Sequence, residues 1–263
     1  MSSTAPTLAL RGISKSFGSV RALSGVDFEV RDGEVMALVG DNGAGKSTLI
    51  QCIAGIHRID RGEIFFDGEL VDIRGPKDAA ALGIEVVYQD LALADNLDVV
   101  QNMYLGREEH DRFQRLLETT MERRTEETLK SLAVTTIRSI RQPVARLSGG
   151  QRQSVAVARA VMWNSRVVIL DEPTAALGVA QTRQVLELVK RLAAQGLAVV
   201  MVSHNLIDVF EVATRITVLR LGRNVTVLDR DQTTPDEVVR AITFGAPTEE
   251  AAVASSTEES SSW

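Results

Sequence analysis

The chain has 263 residues, of which 44% are hydrophobic and 24% charged, a composition typical of a soluble globular protein with one large domain and room for a smaller subdomain. The formal net charge is −6, and residues 247–263 contain four glutamates and no basic residue, so the rest of the chain is close to neutral. Proteins that bind nucleic acid present basic surfaces, so this balance argues against a nucleic-acid partner.

The first third of the chain alternates strand patterns with one glycine-rich turn. The third strand pattern leads directly into the glycine-rich residues 41–45 and then into a helical pattern. Residues 62–73 alternate apolar and polar side chains around Asp67-Gly68, a pair typical of a tight hairpin turn. Strands are predicted at 8–17, 26–30, 34–40 and 85–89.

The middle of the chain is dominated by helical patterns. Between about 97 and 134, apolar side chains recur at helical spacing with charged residues on the opposite side, which predicts amphipathic helices. We interpret residues from about 90 to 163 as a helical subdomain. The apolar face of the 97–134 pattern consists of Phe113, Leu116, Leu117 and Met121.

The last third alternates strand and helix patterns again. Residues 167–170 form an unbroken apolar run, which predicts a parallel strand buried on both faces. An amphipathic helix closed by Gly196 follows, and residues 197–202 predict a second buried strand. This alternation predicts an α/β fold with a mainly parallel sheet flanked by helices. Ligands of such sheets bind beyond the carboxyl ends of the strands, here at Gly40, Asp171 and Ser203.

Cysteine content and hydropathy limit the cellular setting. Cys52 is the only cysteine, so the chain has no internal disulfide, which favours a reducing compartment. Apolar runs such as residues 198–202 are far shorter than the ~20 residues of a membrane-spanning helix, so we expect a chain that neither spans nor crosses a membrane by itself. The polar ends, residues 1–6 and 247–263, are expected to be disordered, which leaves 7–246 as the folded domain.

The stretch GDNGAGKS between the third strand and its helix matches G-x-x-x-x-G-K-[ST]. In this motif backbone N–H groups surround the β-phosphate of a nucleotide, Lys46 reaches the β and γ oxygens, and Ser47 ligates Mg²⁺. A plain glycine turn is the alternative, but a chance match that also has the right flanking elements is rare. The predicted phosphate-binding residues are Gly40, Asp41, Asn42, Gly43, Ala44, Gly45, Lys46, Ser47 and Thr48.

Two acidic residues end the strand predicted in the stretch VVILDE. Asp171 is placed to hold Mg²⁺ through water, while Glu172 could orient and polarise an attacking water. Two acids at a strand end are, by themselves, usually a solvated turn. The phosphate motif elsewhere in the same chain makes the nucleotide interpretation the stronger one.

Three further residues are weaker candidates. Gln89 and His204 each follow a short apolar strand, so Gln89 could ligate Mg²⁺ and His204 could contact the γ-phosphate or the water. By itself, each is more often an ordinary polar residue at a strand end. Phe17 could stack on an adenine ring, or it could be a core aromatic.

The stretches GDNGAGKST, YQD, LSGGQ, ILDEP and SHN, in this order, resemble the ATP-binding cassette (ABC) ATPases, and the resemblance covers residues from about 7 to 245. It implies a P-loop NTPase fold with an N-terminal antiparallel β subdomain and a helical signature subdomain. It also implies Mg²⁺-dependent ATP hydrolysis by Lys46, Glu172 and His204. In this family the signature, here Leu147, Ser148, Gly149, Gly150 and Gln151, holds the γ-phosphate of the ATP on the other subunit of a head-to-tail dimer.

Two glycines make the signature unusual as a helix start. Ser148 and Gln151 have the spacing of a capping box, which places Gly149 and Gly150 in the first turn, where each costs a helix about 1 kcal/mol relative to alanine. The capping box alone leaves these glycines unexplained, whereas a second anion site made by their N–H groups explains them. One residue departs from the family pattern, because Gly178 stands where an aspartate usually contacts the opposite subunit.

Residues 75–108 resemble the ATPases of bacterial importers of ribose, xylose and fructose. This resemblance implies membrane permease subunits as partners, a periplasmic sugar-binding protein acting through them, and a peripheral location on the cytoplasmic face of the inner membrane. The chain has one phosphate loop and one signature, so it must pair with a copy of itself or with another ATPase. The permease is expected to dock on the region from Gln89 to about residue 134.

Two other classes fit less well. A soluble cassette ATPase that acts on ribosomes or DNA would usually show tandem cassettes, long charged insertions or basic surfaces, and this sequence has none. A P-loop GTPase or kinase has no use for LSGGQ, and the guanine-binding pattern N-K-x-D does not occur.

Overall fold

The computed structural model describes residues 5–245. Most of both termini predicted to be disordered, residues 1–4 and 247–263, therefore lies outside the described residues. The strands are β1 (Leu8–Phe17), β2 (Val20–Val30), β3 (Val35–Val39), β4 (Arg61–Phe66), β5 (Glu69–Val71), β6 (Ile84–Val87), β7 (Val167–Asp171), β8 (Ala198–Val202), β9 (Arg215–Arg220) and β10 (Arg223–Asp229). The helices are α1 (Lys46–Ile53), α2 (Pro76–Ala81), α3 (Val99–Tyr104), α4 (Glu118–Ser131), α5 (Gly149–Val161), α6 (Val179–Ala194), α7 (Leu206–Val212) and α8 (Pro235–Phe244).

The strands form two sheets. An antiparallel sheet has the order β2-β1-β4-β5, and a six-stranded sheet has the order β10-β9-β3-β8-β7-β6. In the larger sheet the pairs β9–β3, β3–β8, β8–β7 and β7–β6 are parallel, and only β10 runs antiparallel to its neighbour. The predicted α/β architecture with an additional antiparallel β region is confirmed.

The hairpin between β4 and β5 turns at the predicted dipeptide. Asp67 has φ of 49° and Gly68 has φ of 83°. Two successive positive φ values are what a two-residue type I′ turn needs, and Asp-Gly supplies them at low cost. The sequence pair therefore sets the register of this hairpin, with Phe66 opposite Glu69.

The central strands separate two layers of the core. Val168 and Leu170 of β7 point towards the side that packs on α3, α4, α5 and α6, whereas Val167 and Ile169 point towards α1 and the antiparallel sheet. All four side chains are fully buried. Because side chains alternate across a strand, only a strand buried on both faces needs such an unbroken apolar run.

The helical prediction for 97–134 is partly wrong. Helices occupy only α3 and α4, and the chain between them folds back on itself, with a bridge between His110 and Leu116. Asp111 Oδ1 accepts the N–H groups of Phe113 and Arg115, which fixes a turn instead of a helix. Of the four predicted apolar positions only Met121 is buried, while the exposed ones are Phe113, Leu116 and Leu117.

An aromatic cluster closes the helical region beside β6. The ring of Trp163 meets that of Tyr104 edge to face, with centroids 5.4 Å apart. The guanidinium carbons of Arg107 and Arg124 lie 5.3 and 5.0 Å from the Trp163 ring centroid. Cations at this distance are attracted to the indole face, so the tryptophan ties α3, α4 and the residues after α5 together.

Nothing in residues 5–245 offers a helix that is both long and apolar enough to cross a bilayer.

Candidate functional site

The predicted phosphate loop lies between the end of β3 and the start of α1. Gly40, Gly43 and Gly45 have φ values of 150°, 80° and 105°, in the region where side chains are disfavoured. A Cβ atom on Gly45 would also lie 2.9 Å from the carbonyl oxygen of Ala22, so glycine is required there for close packing on β2. The N–H groups of the first turn of α1 point out of the helix, where no preceding turn supplies a carbonyl partner.

Lys46, the first residue of α1, folds back over this loop. Its ammonium donates hydrogen bonds to the carbonyl oxygens of Gly40 and Asp41, at 2.5 and 3.0 Å. Burial lowers the pKa of Lys46, and the carboxylates of Glu172 and Asp171 oppose that shift. The phosphate loop and the acidic end of β7 therefore interact electrostatically within one site.

A single cavity of about 520 Å³ collects most of the predicted residues. Its wall includes Gln89 from the end of β6 and both acids from the end of β7, as the parallel arrangement of the strands predicts. The predicted residues on its wall are Asn42, Gly43, Ala44, Gly45, Lys46, Ser47, Thr48, Gln89, Asp171 and Glu172.

One part of this cavity's wall was not anticipated from the sequence. It is built from Val20, Arg21 and Ala22 at the start of β2 and from Leu221 and Gly222 between β9 and β10. The Gly222 N–H donates to the carbonyl oxygen of Ala44 at 2.9 Å, which joins the two distant segments to the phosphate loop. Leu221 and Gly222 form a tight turn with left-handed φ of 48° and 72°, and Gly222 is the one local sequence signal that could have pointed to this wall.

The two acids differ in environment. Burial raises the pKa of the Asp171 carboxyl, the neighbouring Glu172 charge raises it further, and Lys46 opposes both. Glu172 adopts φ of 51°, unusual for a residue with a side chain, while its N–H donates to the carbonyl oxygen of Val202 at 2.9 Å. Because of this backbone turn, the side chains of Glu172 and Asp171 point in different directions.

His204 follows β8 and lies beside Glu172. Its Nδ1 atom is 2.8 Å from Glu172 Oε2, and the imidazole is largely exposed while the carboxylate is 16% exposed. His204 lines a second cavity of about 330 Å³ together with Gly40, Asp41 and Ser203. The two cavities share Asn42, so the predicted strand-end residues form one continuous region.

Phe17 lies at the edge of the larger cavity, paired across the β1–β2 turn with Val20, which lines it. It is not among the residues that line the larger cavity, and its ring is 43% exposed. The ring packs edge to face on the imidazole of His57, with centroids 4.9 Å apart, and the ammonium of Lys15 lies 5.5 Å from its centroid. Phe17 is therefore a surface aromatic rather than a core one.

The signature residues begin α5 in the predicted capping box. Ser148 Oγ accepts the Gln151 N–H at 3.3 Å, and Gln151 Oε1 accepts the Ser148 N–H at 2.8 Å. Gln151 Nε2 also donates to the carbonyl oxygen of Thr136 at 2.7 Å. Leu147 is buried beneath the turn. None of residues 147–151 is among those lining the cavity of the phosphate loop.

Packing supplies a second reason for the two glycines of the signature. A Cβ atom on Gly149 would lie 2.9 Å from Leu177 Cδ2, and one on Gly150 would lie 3.1 Å from Gln181 Cβ. Both partners belong to the segment that starts α6. The glycines therefore let α5 approach α6 closely, in addition to leaving their N–H groups bare.

Gly178, the departure from the family pattern, has ordinary backbone geometry. It caps α6 with φ of −74° and ψ of 161°, values that any residue adopts. A Cβ atom there would meet only Gln181 Oε1, at 3.8 Å. Nothing in the described structure requires glycine at this position.

Comparison with known proteins identifies close relatives. The family model described as ABC transporter matches residues 23–175. A fructose import ATP-binding protein of Rhizobium meliloti is 47% identical over 240 residues, which is 89% of this chain and 92% of the relative. A xylose/arabinose import ATP-binding protein of Sulfolobus acidocaldarius is 46% identical over 236 residues, 90% of this chain and 93% of the relative. A ribose import ATP-binding protein of Escherichia coli O157:H7 is 41% identical, and the match covers 91% of this chain but only 47% of that relative.

Solved structures agree with these relatives. A nucleotide-free ATP-binding cassette from an ABC transporter superposes with a TM-score of 0.79 at 25% identity, covering 89% of this chain and 95% of that one. A bacterial ABC transporter cassette solved as a dimer gives a TM-score of 0.71 at 25% identity. The match covers 85% of this chain and 98% of that one. The similarity extends over most of the described chain.

Proposed function

This chain belongs to the ABC transporter family, and from that membership we propose that it is the ATP-binding and ATP-hydrolysing subunit of an importer for a monosaccharide. The observation that carries the proposal is the single cavity on which the phosphate loop, Gln89, Asp171 and Glu172 converge. We assign residues 7–246 to the ATPase domain and the region from about 90 to 163 to its helical part.

The phosphate loop binds the triphosphate of ATP. First-turn N–H groups of α1 face the cavity, and the helix dipole adds positive potential there. Lys46 gives up its hydrogen bonds to the loop carbonyls of Gly40 and Asp41 when phosphate oxygens replace them. Arg21 and the turn at Leu221 border the same cavity, so they flank the remainder of the nucleotide.

The donor set beside Lys46 fits Mg²⁺. Ser47, Gln89 and Asp171 each carry an oxygen and line the same cavity, and Mg²⁺ prefers oxygen ligands and usually takes only a few from the protein. Partial burial and the adjacent Glu172 charge raise the pKa of Asp171, and a bound metal ion would stabilise its carboxylate. Bound Mg²⁺ neutralises charge on the phosphate oxygens. Ser47 in α1 and Gln89 after β6 would supply Mg²⁺ ligands from two different parts of the chain.

Glu172 acts on the attacking water. Its carboxylate is mostly buried, borders the cavity and is held from one side by His204. A carboxylate fixed in this way orients a water molecule and polarises it for attack on the γ-phosphate. His204 positions Glu172 and, from the same strand end, contacts the γ-phosphate.

The signature completes the site of a second subunit. Residues 147–151 lie outside the cavity wall of their own chain, yet their first-turn N–H groups form an anion site. Two subunits packed head to tail place each signature on the ATP bound by the other. ATP binding then closes the dimer and hydrolysis reopens it.

Partners and location follow from the same role. We assign two membrane permease subunits to the helical region beyond Gln89, with a periplasmic sugar-binding protein acting through them. The chain lies on the cytoplasmic face of the inner membrane as a peripheral subunit, paired with itself or with a second ATPase. No nucleic acid is assigned as a partner.

Sugar uptake tests this proposal. Cells lacking the chain are compared for uptake of radiolabelled fructose, xylose, arabinose and ribose, and loss of at least one activity is expected. The parent chain restores that uptake and Lys46→Ala does not. Normal uptake of all four sugars, together with ATP hydrolysis that ribosomes or DNA stimulate, would contradict the importer role and favour a non-transport ATPase.

A further inference from the structure

Arg159, in the third turn of α5, contacts the segment that follows Gln89. Its two terminal nitrogens donate hydrogen bonds to the carbonyl oxygens of Ala92 and Leu91, each at 2.9 Å. The side chain is half-buried. Arg159 thus joins α5 to the loop between β6 and α3.

The electrostatic setting of Arg159 is unusual for a half-buried arginine. Within residues 5–245 it makes no ion pair, and burial lowers its pKa, a shift that the nearby charge of Arg107 strengthens and that of Glu85 opposes. A guanidinium keeps its charge at any ordinary pH, so backbone carbonyl dipoles must compensate for its burial. Holding these two carbonyls is therefore the main polar interaction of Arg159.

The loop has a backbone conformation that needs contacts to hold it, and Ala92 is contacted by Arg159 at its carbonyl and by Asp90 Oδ1 at its N–H, at 3.5 Å. Ala92 has φ of 48°, a left-handed value that costs energy for a residue with a Cβ atom. Such a conformation persists only where surrounding contacts fix it. The carbonyl of Ala92 is one of the two that Arg159 holds.

The rest of this loop is held separately. Asn102, fully buried in α3, accepts the Ala94 N–H at 2.7 Å and donates to the Ala94 carbonyl oxygen at 3.0 Å. Arg159 therefore holds the part of the loop next to Gln89, and Asn102 holds the part next to α3. Gln89 lies only two residues beyond the end of β6 and two before the first carbonyl bound by Arg159.

We propose that Arg159 is a positioning residue that holds Gln89 at the cavity through the carbonyls of Leu91 and Ala92. Because the same helix begins at the signature, Arg159 also links the signature to Gln89 along about 15 Å of rigid helix. A displacement of α5 on dimer closure therefore moves the residue that ligates Mg²⁺. This inference rests on the proposed role of Gln89.

Arg191 provides a matched control. It donates to the carbonyl oxygens of Leu132 and Ala133 at 3.0 and 3.5 Å, and Ala133 also has a left-handed φ, of 50°. It therefore holds a loop in the same manner without touching the segment after Gln89. Arg191→Gln removes a similar interaction at a location away from the segment after Gln89.

The first measurement is the position of the loop in the nucleotide-free chain. Spin labels at Ala92→Cys and Glu69→Cys, which replace side chains that form no hydrogen bond in the described part of the chain, report the distance between the loop and β5 by pulsed electron resonance. Arg159→Gln is expected to widen this distance distribution about twofold, while Arg159→Lys, which retains a donor, widens it less. Arg191→Gln is expected to leave it unchanged. An unchanged distribution in Arg159→Gln would overturn the proposal.

The second measurement is binding of Mn²⁺, used in place of Mg²⁺, to the ATP-bound chain. Arg159→Gln and Gln89→Ala are each expected to weaken it roughly tenfold, and Arg191→Gln leaves it unchanged. If Gln89→Ala weakens Mn²⁺ binding but Arg159→Gln does not, the positioning role is contradicted. If Gln89→Ala itself has no effect, the assigned magnesium role of Gln89 fails, while the loop distances still decide whether Arg159 holds the loop.

Discussion

His204 Nδ1 lies 2.8 Å from Glu172 Oε2, so the residue that follows β8 holds the carboxylate that follows β7. The Glu172 N–H simultaneously donates to Val202, the last residue of β8. Two neighbouring parallel strands thus fix both the backbone and the side chain of Glu172. The pairing of β7 with β8 therefore sets the orientation of this carboxylate.

Lys46→Ala and Glu172→Gln should separate binding from hydrolysis. Lys46 supplies charge to the bound phosphates, so its loss should abolish ATP binding, whereas Glu172→Gln should bind ATP and lose hydrolysis by about 10²-fold or more. Nucleotide titration and phosphate release measure the two effects. Parental hydrolysis in Glu172→Gln would remove the assigned role of Glu172.

His204→Ala should lower the ATPase rate roughly tenfold or more, because the Glu172 carboxylate loses the partner that orients it. In a Glu172→Gln background the same change should cost much less, since residues that act as a unit are not additive. Steady-state ATPase rates of the two single variants and the double variant form the test. Full additivity would show that His204 acts independently of Glu172.

Gly149→Ala separates the two reasons for the signature glycine. The added methyl group meets only Leu177 Cδ2, the tip of a half-buried side chain that can move aside, so Gly149→Ala alone should be slightly destabilised, and Leu177→Ala in the same chain should remove the clash. Melting temperature should then recover relative to the Leu177→Ala control. ATPase activity should stay low if the bare N–H groups serve the partner's ATP. Recovery of both would make packing the sole reason for glycine.

Cys52 should be inert in the folded chain. Burial raises the pKa of its thiol to about 11, so only about one molecule in a thousand carries the reactive thiolate at pH 8. A thiol reagent such as DTNB at pH 8 should label the denatured chain and leave the native chain unlabelled for much longer. Rapid native labelling would show that the α1 core opens readily.

Because Cys52 is buried, introduced cysteines can report the subunit arrangement. Ser47→Cys and Ser148→Cys, carried on separate chains, should form a disulfide between chains in the presence of ATP. The same two changes within one chain should give dimers and no internal link, since residues 147–151 lie off their own cavity. An internal disulfide would contradict the head-to-tail arrangement.

Gly178→Asp should be tolerated by the fold. Its backbone angles suit any residue, and an aspartate at a helix N-cap is more stabilising than glycine by about 0.3 kcal/mol. Melting temperature should stay level or rise, and ATPase activity measured beside Gly178→Ala shows whether a carboxylate here adds a contact across the dimer. A fall in melting temperature would reveal a constraint on Gly178.

Local patterns predicted the elements that carry the phosphate loop and the acids, because a strand, a turn and a helix are contiguous there. The wall formed by Arg21 and Gly222 was missed, since it depends on the pairing of segments about two hundred residues apart. The segment around Phe113 misled because its apolar spacing is helical, while Asp111 captures the backbone N–H groups in a turn. The spacing of apolar residues in a sequence does not show whether their side chains will be buried in a core.

The proximity of two arginines to Trp163 has a spectroscopic consequence. The chain has two tryptophans, Trp163 and Trp263, so Trp263→Phe leaves one indole whose emission comes entirely from the helical region. The two nearby guanidinium groups tune that emission, and any rearrangement that moves Arg107 or Arg124 away from the ring changes its intensity. The protein therefore contains an intrinsic fluorophore that can follow motion of the helical region during turnover, without an attached dye.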